Sequence, residues 1–276
     1  MLWTPGGRSP NLEDRRSGGG GMGRGLGIGG TVVVLALSLL FGRNLFTDLG
    51  VEPAGVSAAT TPLSPADSAA QETEVQFVSF VLDDVQKTWA SILSNSSVQF
   101  HPAKLVLFRN SIDSGCGTAE SAMGPFYCPT DERVYLDLGF FDELKQRFSA
   151  SGDFAQAYVI AHELGHHIQH LQGIDAQMRQ AQESDPSRAN QMSVALELQA
   201  DCYAGVWAHS TQGRILQAGD VDEALNAASA VGDDRIQQRT TGRINVDSFT
   251  HGSAAQRSAS FKRGMETGDP RSCAIS

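Results

Sequence analysis

The chain has 276 residues, of which 19% are charged and 41% hydrophobic, and its formal net charge is −10. This length and composition fit one folded domain with appendages. The acidic balance, together with the lack of any run of lysine and arginine interleaved with aromatic residues, argues against a nucleic-acid partner.

The N-terminal quarter of the chain differs in composition from the rest. Residues 1–25 are rich in Gly and Arg and have no hydrophobic period, which predicts a disordered leader. Residues 26–46 include an uncharged run dense in Val and Leu, which predicts a single transmembrane helix in contact with the lipid bilayer. Residues 47–72 are rich in Pro, Ala and Ser, which predicts a linker to a domain over residues 73–276.

Two other interpretations of the apolar run fit less well. A buried core helix would need folded segments around it, which the composition here does not predict. A cleaved signal peptide would need a short leader and a prompt small-residue cleavage site, whereas this leader has about 25 residues and no such site promptly follows the run.

The charges on either side of the run predict its orientation. Four arginines precede the run, partly offset by two acidic residues, whereas Arg43 is the only basic residue between the run and Lys87. The positive-inside rule therefore predicts a cytoplasmic N-terminus and a periplasmic or extracellular main domain.

From residue 73 onward the pattern is that of helices and a few short strands. Apolar residues at helical spacing predict a helix over 74–94. Residues 104–108 and 133–138 are predicted as strands, with 126–128 beside the second. Further helices are expected over residues 140–149, 153–173, 190–210, 221–231 and 253–268. The order of segments predicts an α+β fold in which a small sheet packs with the helices.

Four cysteines lie in this domain, and they allow three pairings. A bond between Cys116 and Cys128 would close a short loop, and one between Cys202 and Cys273 would tie the C-terminal tail to a helix. Both are plausible in an oxidising compartment. Four free buried thiols are the alternative. A cysteine zinc ribbon is not expected, because the chain has no C-x-x-C pair.

The segment AHELGHHIQH, residues 161–170, holds four of the seven histidines. His162 and His166 are four residues apart on a predicted helix, so both rings leave the same face and can bind one metal ion. Glu163 projects about 100° away and could take a proton from a metal-bound water, which is the H-E-x-x-H arrangement. The alternative is a histidine-rich, solvent-facing helix end. We expect His167 and His170 to face solvent or to cap the helix.

A catalytic zinc ion normally has three protein ligands and one open position. Glu197 and Asp201 are again four residues apart, on a helix that is otherwise apolar or small-residued, where an unpaired carboxylate is costly. Glu197 is therefore predicted as the third ligand. Asp201 is predicted to accept the second ring N–H of a ligand histidine. Two surface carboxylates on an amphipathic helix are the alternative.

These motifs resemble a known family. H-E-L-G-H followed 31 residues later by E-L-Q-A-D is similar to the zincin metallopeptidases that have a downstream E-x-x-A-D. More closely, the chain resembles the bacterial putative neutral zinc metallopeptidases, whose leader, single span and periplasmic or extracellular zincin domain match its layout. The resemblance is carried by GPFYCPTDERVYLDLGFF (124–141), AHELGHHIQ (161–169), ELQADCYAGVWA (197–208) and THGSAAQR (250–257).

The resemblance implies the same ligand set, His162, His166 and Glu197, with Glu163 as the base. It also implies that the strand over 134–138 is an edge strand above the cleft. An extended peptide substrate could add to this strand through backbone hydrogen bonds. Substrate contacts are then expected from Val134, Tyr135, Leu136 and Asp137.

Thr250-His251-Gly252 is a further candidate, because in related zincins a Thr-His segment after the third ligand reaches the cleft. The hypothesis is that His251 donates a hydrogen bond to the oxyanion of the tetrahedral intermediate, with support from Arg257. The alternative is a helix-capping loop in which His251 has a structural role.

The sequence thus predicts a membrane-anchored peptidase with one Zn²⁺ per chain, which cleaves peptide or protein substrates through a zinc-bound water activated by Glu163. One alternative is a non-catalytic, zinc-stabilised envelope scaffold. Another is a di-iron carboxylate protein, which would need a second E-x-x-H and two more carboxylates. Only Glu197-x-x-Ala200 is available for that role.

Overall fold

A small sheet and a larger set of helices make up residues 1–16, 65–148 and 152–275, which this computed structural model describes. The mixed α+β class predicted from the order of segments is confirmed. The strands are β1 (Leu12–Asp14), β2 (Lys104–Phe108), β3 (Ser111–Ser114), β4 (Gly117–Glu120), β5 (Phe126–Cys128) and β6 (Arg133–Asp137). The helices are α1 (Pro65–Leu93), α2 (Gly139–Phe148), α3 (Asp153–Leu171), α4 (Ile174–Ser184), α5 (Ala189–Ser210), α6 (Asp220–Ala230), α7 (Asp233–Thr240) and α8 (Ala254–Thr267).

The main sheet has four strands in the order β1-β2-β6-β5. Strands β1, β2 and β6 are parallel, and β5 runs antiparallel to β6. Strand β6 is therefore an interior strand, and the prediction that it forms the edge above the cleft is wrong. Val134 and Leu136 pack in one apolar cluster and Tyr135 in another, and the four predicted substrate contacts Val134, Tyr135, Leu136 and Asp137 are all buried.

The N-terminal residues belong to the folded domain. Leu12 pairs with Leu105 in the register of β1 and β2, and the α-ammonium group of Met1 is buried against Asp153 Oδ1 (2.6 Å) and Asp220 Oδ1 (3.1 Å). The prediction of disorder is thus wrong for residues 1–16, because long-range pairing that composition does not report holds them. Paired strands lie on one side of any membrane, so the predicted cytoplasmic location of this segment opposite the main domain is wrong as well.

The remaining predictions for residues 17–64 fall outside the described ranges. These include the transmembrane helix over 26–46. Helix α1 begins at Pro65, so the last residues of the predicted linker are helical. Within the ranges that the structure describes, no helix is both long and apolar enough to cross a bilayer.

Close contacts at glycine residues bring helices α3, α5 and α8 together. A Cβ atom at Gly264 of α8 would lie 1.9 Å from the carbonyl oxygen of Cys202 on α5, and one at Gly205 of α5 would lie 2.0 Å from that of Phe261. Only glycine at both positions allows this approach. Helices α3 and α5 also meet at a glycine, Gly165, whose added Cβ would lie 3.0 Å from the Ala200 oxygen.

Both expected cysteine pairs are disulfide-bonded, and this prediction is confirmed. The Cys116–Cys128 bond ties the turn between β3 and β4 to the end of β5. The Cys202–Cys273 bond ties the C-terminal turn to α5. The second bond joins positions 71 residues apart in sequence, so it holds the end of the chain against the helix that carries Glu197.

Candidate active site

Three side chains from two helices meet at the centre of the site. The rings of His162 and His166 leave α3 on one side, with their centroids 4.8 Å apart. From α5, Glu197 places Oε2 at 3.2 Å from His162 Nε2 and Oε1 at 3.4 Å from His166 Nε2. The structure therefore brings together the three residues that the sequence nominated as metal ligands.

Their geometry fits one zinc ion. Ligand atoms about 2.1 Å from a tetrahedral zinc ion lie about 3.4 Å from one another. The rings lie 3.2 and 3.4 Å from the two oxygens of Glu197, which is close to this value. One ligand atom from each residue lies within 4.8 Å of the other two. The Nδ1 atom of each ring has its own partner, so Nε2 of His162 and Nε2 of His166 are the atoms that face the Glu197 carboxylate.

Asp201 fixes the orientation of the His162 ring through its Nδ1 atom. Its Oδ1 lies 2.9 Å from His162 Nδ1 and accepts the hydroxyl of Tyr158 at 2.5 Å. Arg257 of α8 donates to both oxygens of Asp201, at 2.8 and 2.9 Å. Asp201 thus lies where the sequence predicted it. Arg257, which is predicted to support His251, is the counter-charge of Asp201 and also lines the cleft with His251.

Sequence reasoning missed the partner of the second histidine. Gln169, three residues after His166 on α3, places Oε1 at 2.8 Å from His166 Nδ1. A glutamine at i+3 from a ligand histidine lies on the same helix face, so the spacing within AHELGHHIQ was the available signal. Tyr158, whose hydroxyl contacts Asp201, was also missed. It lies four residues before His162 on α3, so spacing was again the available signal.

The electrostatics of the site favour a bound cation. Burial by itself disfavours the charged rings, but the carboxylates of Asp201 and Glu197 outweigh it and raise the pKa of His162. The pKa of His166 is raised likewise, by Glu197. Burial opposes the charge of Glu197 too, yet the two histidines hold the pKa of this carboxyl well below its usual range. Buried negative charge of this kind is compensated by protons or by a metal ion.

Glu163 lies beside these ligands and lines the same cleft. Its side chain is mostly buried, with 8% of the residue exposed. None of the described residues hydrogen-bonds its carboxylate, so the group is free to contact a molecule bound in the cleft. This is the position that the H-E-x-x-H spacing predicts.

The cleft has a volume of about 990 Å³ and opens beside the three ligands. Strand β5, at the edge of the sheet, contributes Phe126 and Tyr127 to its lining, and Met123 and Phe140 add further apolar surface. The edge strand of the cleft is therefore β5 rather than β6. The sequence had placed 126–128 beside β6 but had not placed it outermost.

His251 reaches this cleft from the loop before α8. Asp233 holds the loop, because its Oδ2 accepts the backbone N–H groups of Thr250, His251 and Gly252 at 2.7, 2.6 and 3.0 Å. The ring Nδ1 of His251 lies 3.2 Å from Asp233 Oδ1. The hydrogen bond to Asp233 raises the pKa of His251, although burial acts against it.

The other two histidines of the motif differ: His167 is buried, whereas His170 lies in the last turn of α3. His167 is 1% exposed, its Nε2 lies 2.8 Å from the carbonyl oxygen of His101, and its Nδ1 lies 3.0 Å from the Tyr127 hydroxyl. Burial lowers the pKa of His167 to about 4. His170 is partly buried and pairs with Asp175. For His167 the prediction is wrong, because α3 packs against β5 on the side that carries its ring; for His170, in the last turn of α3, nothing contradicts it.

Two imidazoles and one carboxylate that converge beside an open cleft form the ligand set of a catalytic zinc protein. The family described as putative neutral zinc metallopeptidase matches residues 1–275, and the chain belongs to this family. It is 43% identical over 284 residues to the uncharacterized protein YpfJ of Escherichia coli strain K12, covering 99% of this chain and 98% of that protein. It is 41% identical over 251 residues to the uncharacterized protein Rv2575 of Mycobacterium tuberculosis strain H37Rv, covering 82% and 83% respectively. No solved structure gives a significant match.

Proposed function

We propose that this protein is a zinc-dependent peptidase of the H-E-x-x-H type with one zinc ion per chain. The observation that carries the proposal is the convergence of two Nε2 atoms, from His162 and His166, on the carboxylate of Glu197. Three protein ligands leave a fourth coordination position for catalysis. Membership of a zinc metallopeptidase family supports peptide-bond hydrolysis as the reaction.

When bound, zinc would supply Lewis acidity that activates a water molecule and polarises the scissile carbonyl. Glu163 is the general base in this proposal. Its carboxylate accepts a proton from the attacking water and returns it to the leaving amine. Asp201 holds the imidazole ring of His162 in the orientation that binding requires.

Strand β5 offers the binding edge for a peptide or protein substrate. It pairs with β6 on one side only, so its other side has backbone groups that an extended peptide can pair with. Phe126 and Tyr127 line the cleft from this strand. We assign substrate contacts to β5 in place of the four residues of β6.

His251 is proposed to donate a hydrogen bond to the oxyanion that forms during hydrolysis. Its position in the cleft lining and its support by Asp233 favour this role. Loss of one oxyanion donor typically lowers turnover by about 10² to 10³. We therefore expect His251→Ala to lose turnover by that factor and to keep zinc.

We also propose that residues 26–46 attach the protein to a lipid bilayer and that its catalytic domain is periplasmic or extracellular. The composition of the segment and two disulfides, which form in oxidising compartments, support this. Extraction of membranes with alkaline carbonate tests the attachment. Digestion of intact cells and spheroplasts with an external protease tests the side on which the domain lies.

Two variants separate metal binding from hydrolysis. Glu163→Gln should keep stoichiometric zinc and lose hydrolysis by about 10² to 10⁴, the range for a general base. His162→Ala should lose zinc. Glu183→Gln, which changes an exposed glutamate on α4, is the matched control and should keep both properties.

The assay is zinc analysis of the purified full chain together with digestion of a peptide library. Normal hydrolysis by Glu163→Gln would overturn the assignment of the base. If the wild type holds one zinc ion per chain but cleaves no peptide, the non-catalytic scaffold replaces the peptidase as the explanation of the site.

A further inference from the structure

Gln169 is buried on α3 one turn beyond His166, and the proposed reaction does not use it. Its Oε1 lies 2.8 Å from His166 Nδ1, and only 1% of the residue is exposed. A hydrogen on Nδ1 therefore has an acceptor. The lone pair of Nε2 is then left for a metal ion held between His162, His166 and Glu197.

Two further contacts hold the carboxamide of Gln169 in this orientation. Its Nε2 donates to the carbonyl oxygen of Leu196 at 2.7 Å and to Oε1 of Gln199 at 3.0 Å. A flipped amide would set its oxygen against both of these oxygens, so one orientation alone satisfies every polar atom. Helix α5 thus determines which group of Gln169 faces the histidine.

Gln199 is held in turn by the C-terminal turn of the chain. Its Nε2 donates to the carbonyl oxygen of Cys273 at 3.1 Å. Cys273 is disulfide-bonded to Cys202, three residues after Gln199 on α5. A continuous line of hydrogen bonds therefore runs from the disulfide through two buried glutamines to His166.

We propose that Gln169 is a positioning residue for the zinc ligand His166, and that the Cys202–Cys273 disulfide strengthens zinc binding through Gln199 and Gln169. Without the disulfide, the C-terminal turn is held less firmly on α5 and the acceptor of Gln199 is less fixed. The amide of Gln169 is then less constrained, and so is the ring of His166. The inference rests on the zinc site of the proposed function, but it does not require peptide hydrolysis.

The first test removes the amide. Methionine has the length of glutamine but not its strong acceptor and donors, so Gln169→Met breaks the contacts while filling the space. The zinc dissociation constant of the full chain is measured by competition with a chelator of known affinity. We expect it to rise by about 10-fold to 100-fold, the usual effect of removing a partner of a ligand histidine. Gln180→Met, at an exposed glutamine of α4, should leave it unchanged.

The second test asks whether the disulfide acts through Gln169. The paired change Cys202→Ser and Cys273→Ser is made in the wild type and in Gln169→Met. We expect zinc affinity to fall by about tenfold in the wild type, the lower end of the same range, and to stay the same in Gln169→Met. Cys116→Ser with Cys128→Ser, which removes the other disulfide, is the matched control and should not change zinc affinity.

The outcomes are distinct. Wild-type affinity in Gln169→Met overturns the positioning role, and losses that add in the combined variant overturn the link to the disulfide. Should the serine variant fail to fold by circular dichroism, Gln199→Met in the wild type and in Gln169→Met tests the step between the two glutamines, and losses that add there overturn the link as well. A wild type that binds no zinc overturns both this inference and the proposed function. A wild type that binds zinc but cleaves nothing overturns only the peptidase.

Discussion

Asp201 Oδ1 lies 2.9 Å from Nδ1 of His162, and the carboxylate that makes this contact is fully buried. The same carboxylate is the counter-charge of Arg257, which comes from α8. One side chain therefore fixes the ring of a candidate zinc ligand and also compensates a buried cation. The two roles can be separated, because one concerns zinc affinity and the other concerns the metal-free fold.

Asp201→Asn should weaken both properties. Without the carboxylate, His162 loses its charged acceptor, and we expect zinc affinity to fall by about 10-fold to 100-fold. Arg257 is left without a full counter-charge, and loss of one partner of a buried pair typically costs about 3 to 5 kcal/mol. Chelator competition and denaturant unfolding of the metal-free protein measure the two effects. Asp222→Asn, at an exposed position of α6, is the control; a variant of Asp201 that behaves like it would contradict the assigned roles.

Gly264→Ala should disturb the packing of α8 on α5. The new methyl group would lie 1.9 Å from the carbonyl oxygen of Cys202, so the helices must move apart. Overpacking of a core typically costs about 1 to 3 kcal/mol, and a backbone clash belongs at the upper end. The free energy of unfolding in urea is the measurement. Gly7→Ala meets no atom within 4 Å and should change nothing; equal stability of the two variants would show that the helices do not rely on this contact.

Asp233→Asn should change the pH dependence of hydrolysis. The Asp233 carboxylate raises the pKa of His251, so the imidazolium form persists above pH 6.5. Activity that needs this form is lost as pH rises through the raised pKa, which gives the alkaline limb of the profile. Removal of the charge lowers the pKa of His251, so this limb should move to lower pH. The measurement is kcat/KM against pH, and an unmoved alkaline limb would rule out His251 as the group that titrates.

Asp14→Asn should destabilise the fold, because residues 1–16 belong to it. Hydrogen bonds from Arg16 lower the pKa of Asp14 from 3.8 to about 2. A lowered pKa means that stability is present above pH 3.8 and is lost as pH falls toward 2. After allowance for partial exposure, we expect the variant to lose about 1 to 2 kcal/mol at pH 7. Urea unfolding at pH 7 and at pH 3 tests this; a difference that did not shrink at the lower pH would contradict the electrostatic explanation.

Local geometry made part of the site readable from the sequence. His162 and His166 share a helix face because a helix turns by about 100° per residue, whatever surrounds it. The same rule placed Glu197 and Asp201 together on one face of α5. The cysteine pairs were readable as candidates because few pairings were possible, although the sequence left the choice among them open.

Tertiary structure decided what depends on which surfaces meet. Strand period is the same for an edge strand and an interior strand, so only the order of the sheet distinguishes β5 from β6. Burial of His167 and the contact of Gln169 with His166 depend on what packs against α3. Composition predicts disorder for the N-terminal residues because it reports average hydrophobicity, whereas their order comes from pairing with β2 and from buried ion pairs far along the chain. Residue spacing along one element is set by covalent geometry, but contacts between elements are set by the packing of the whole chain.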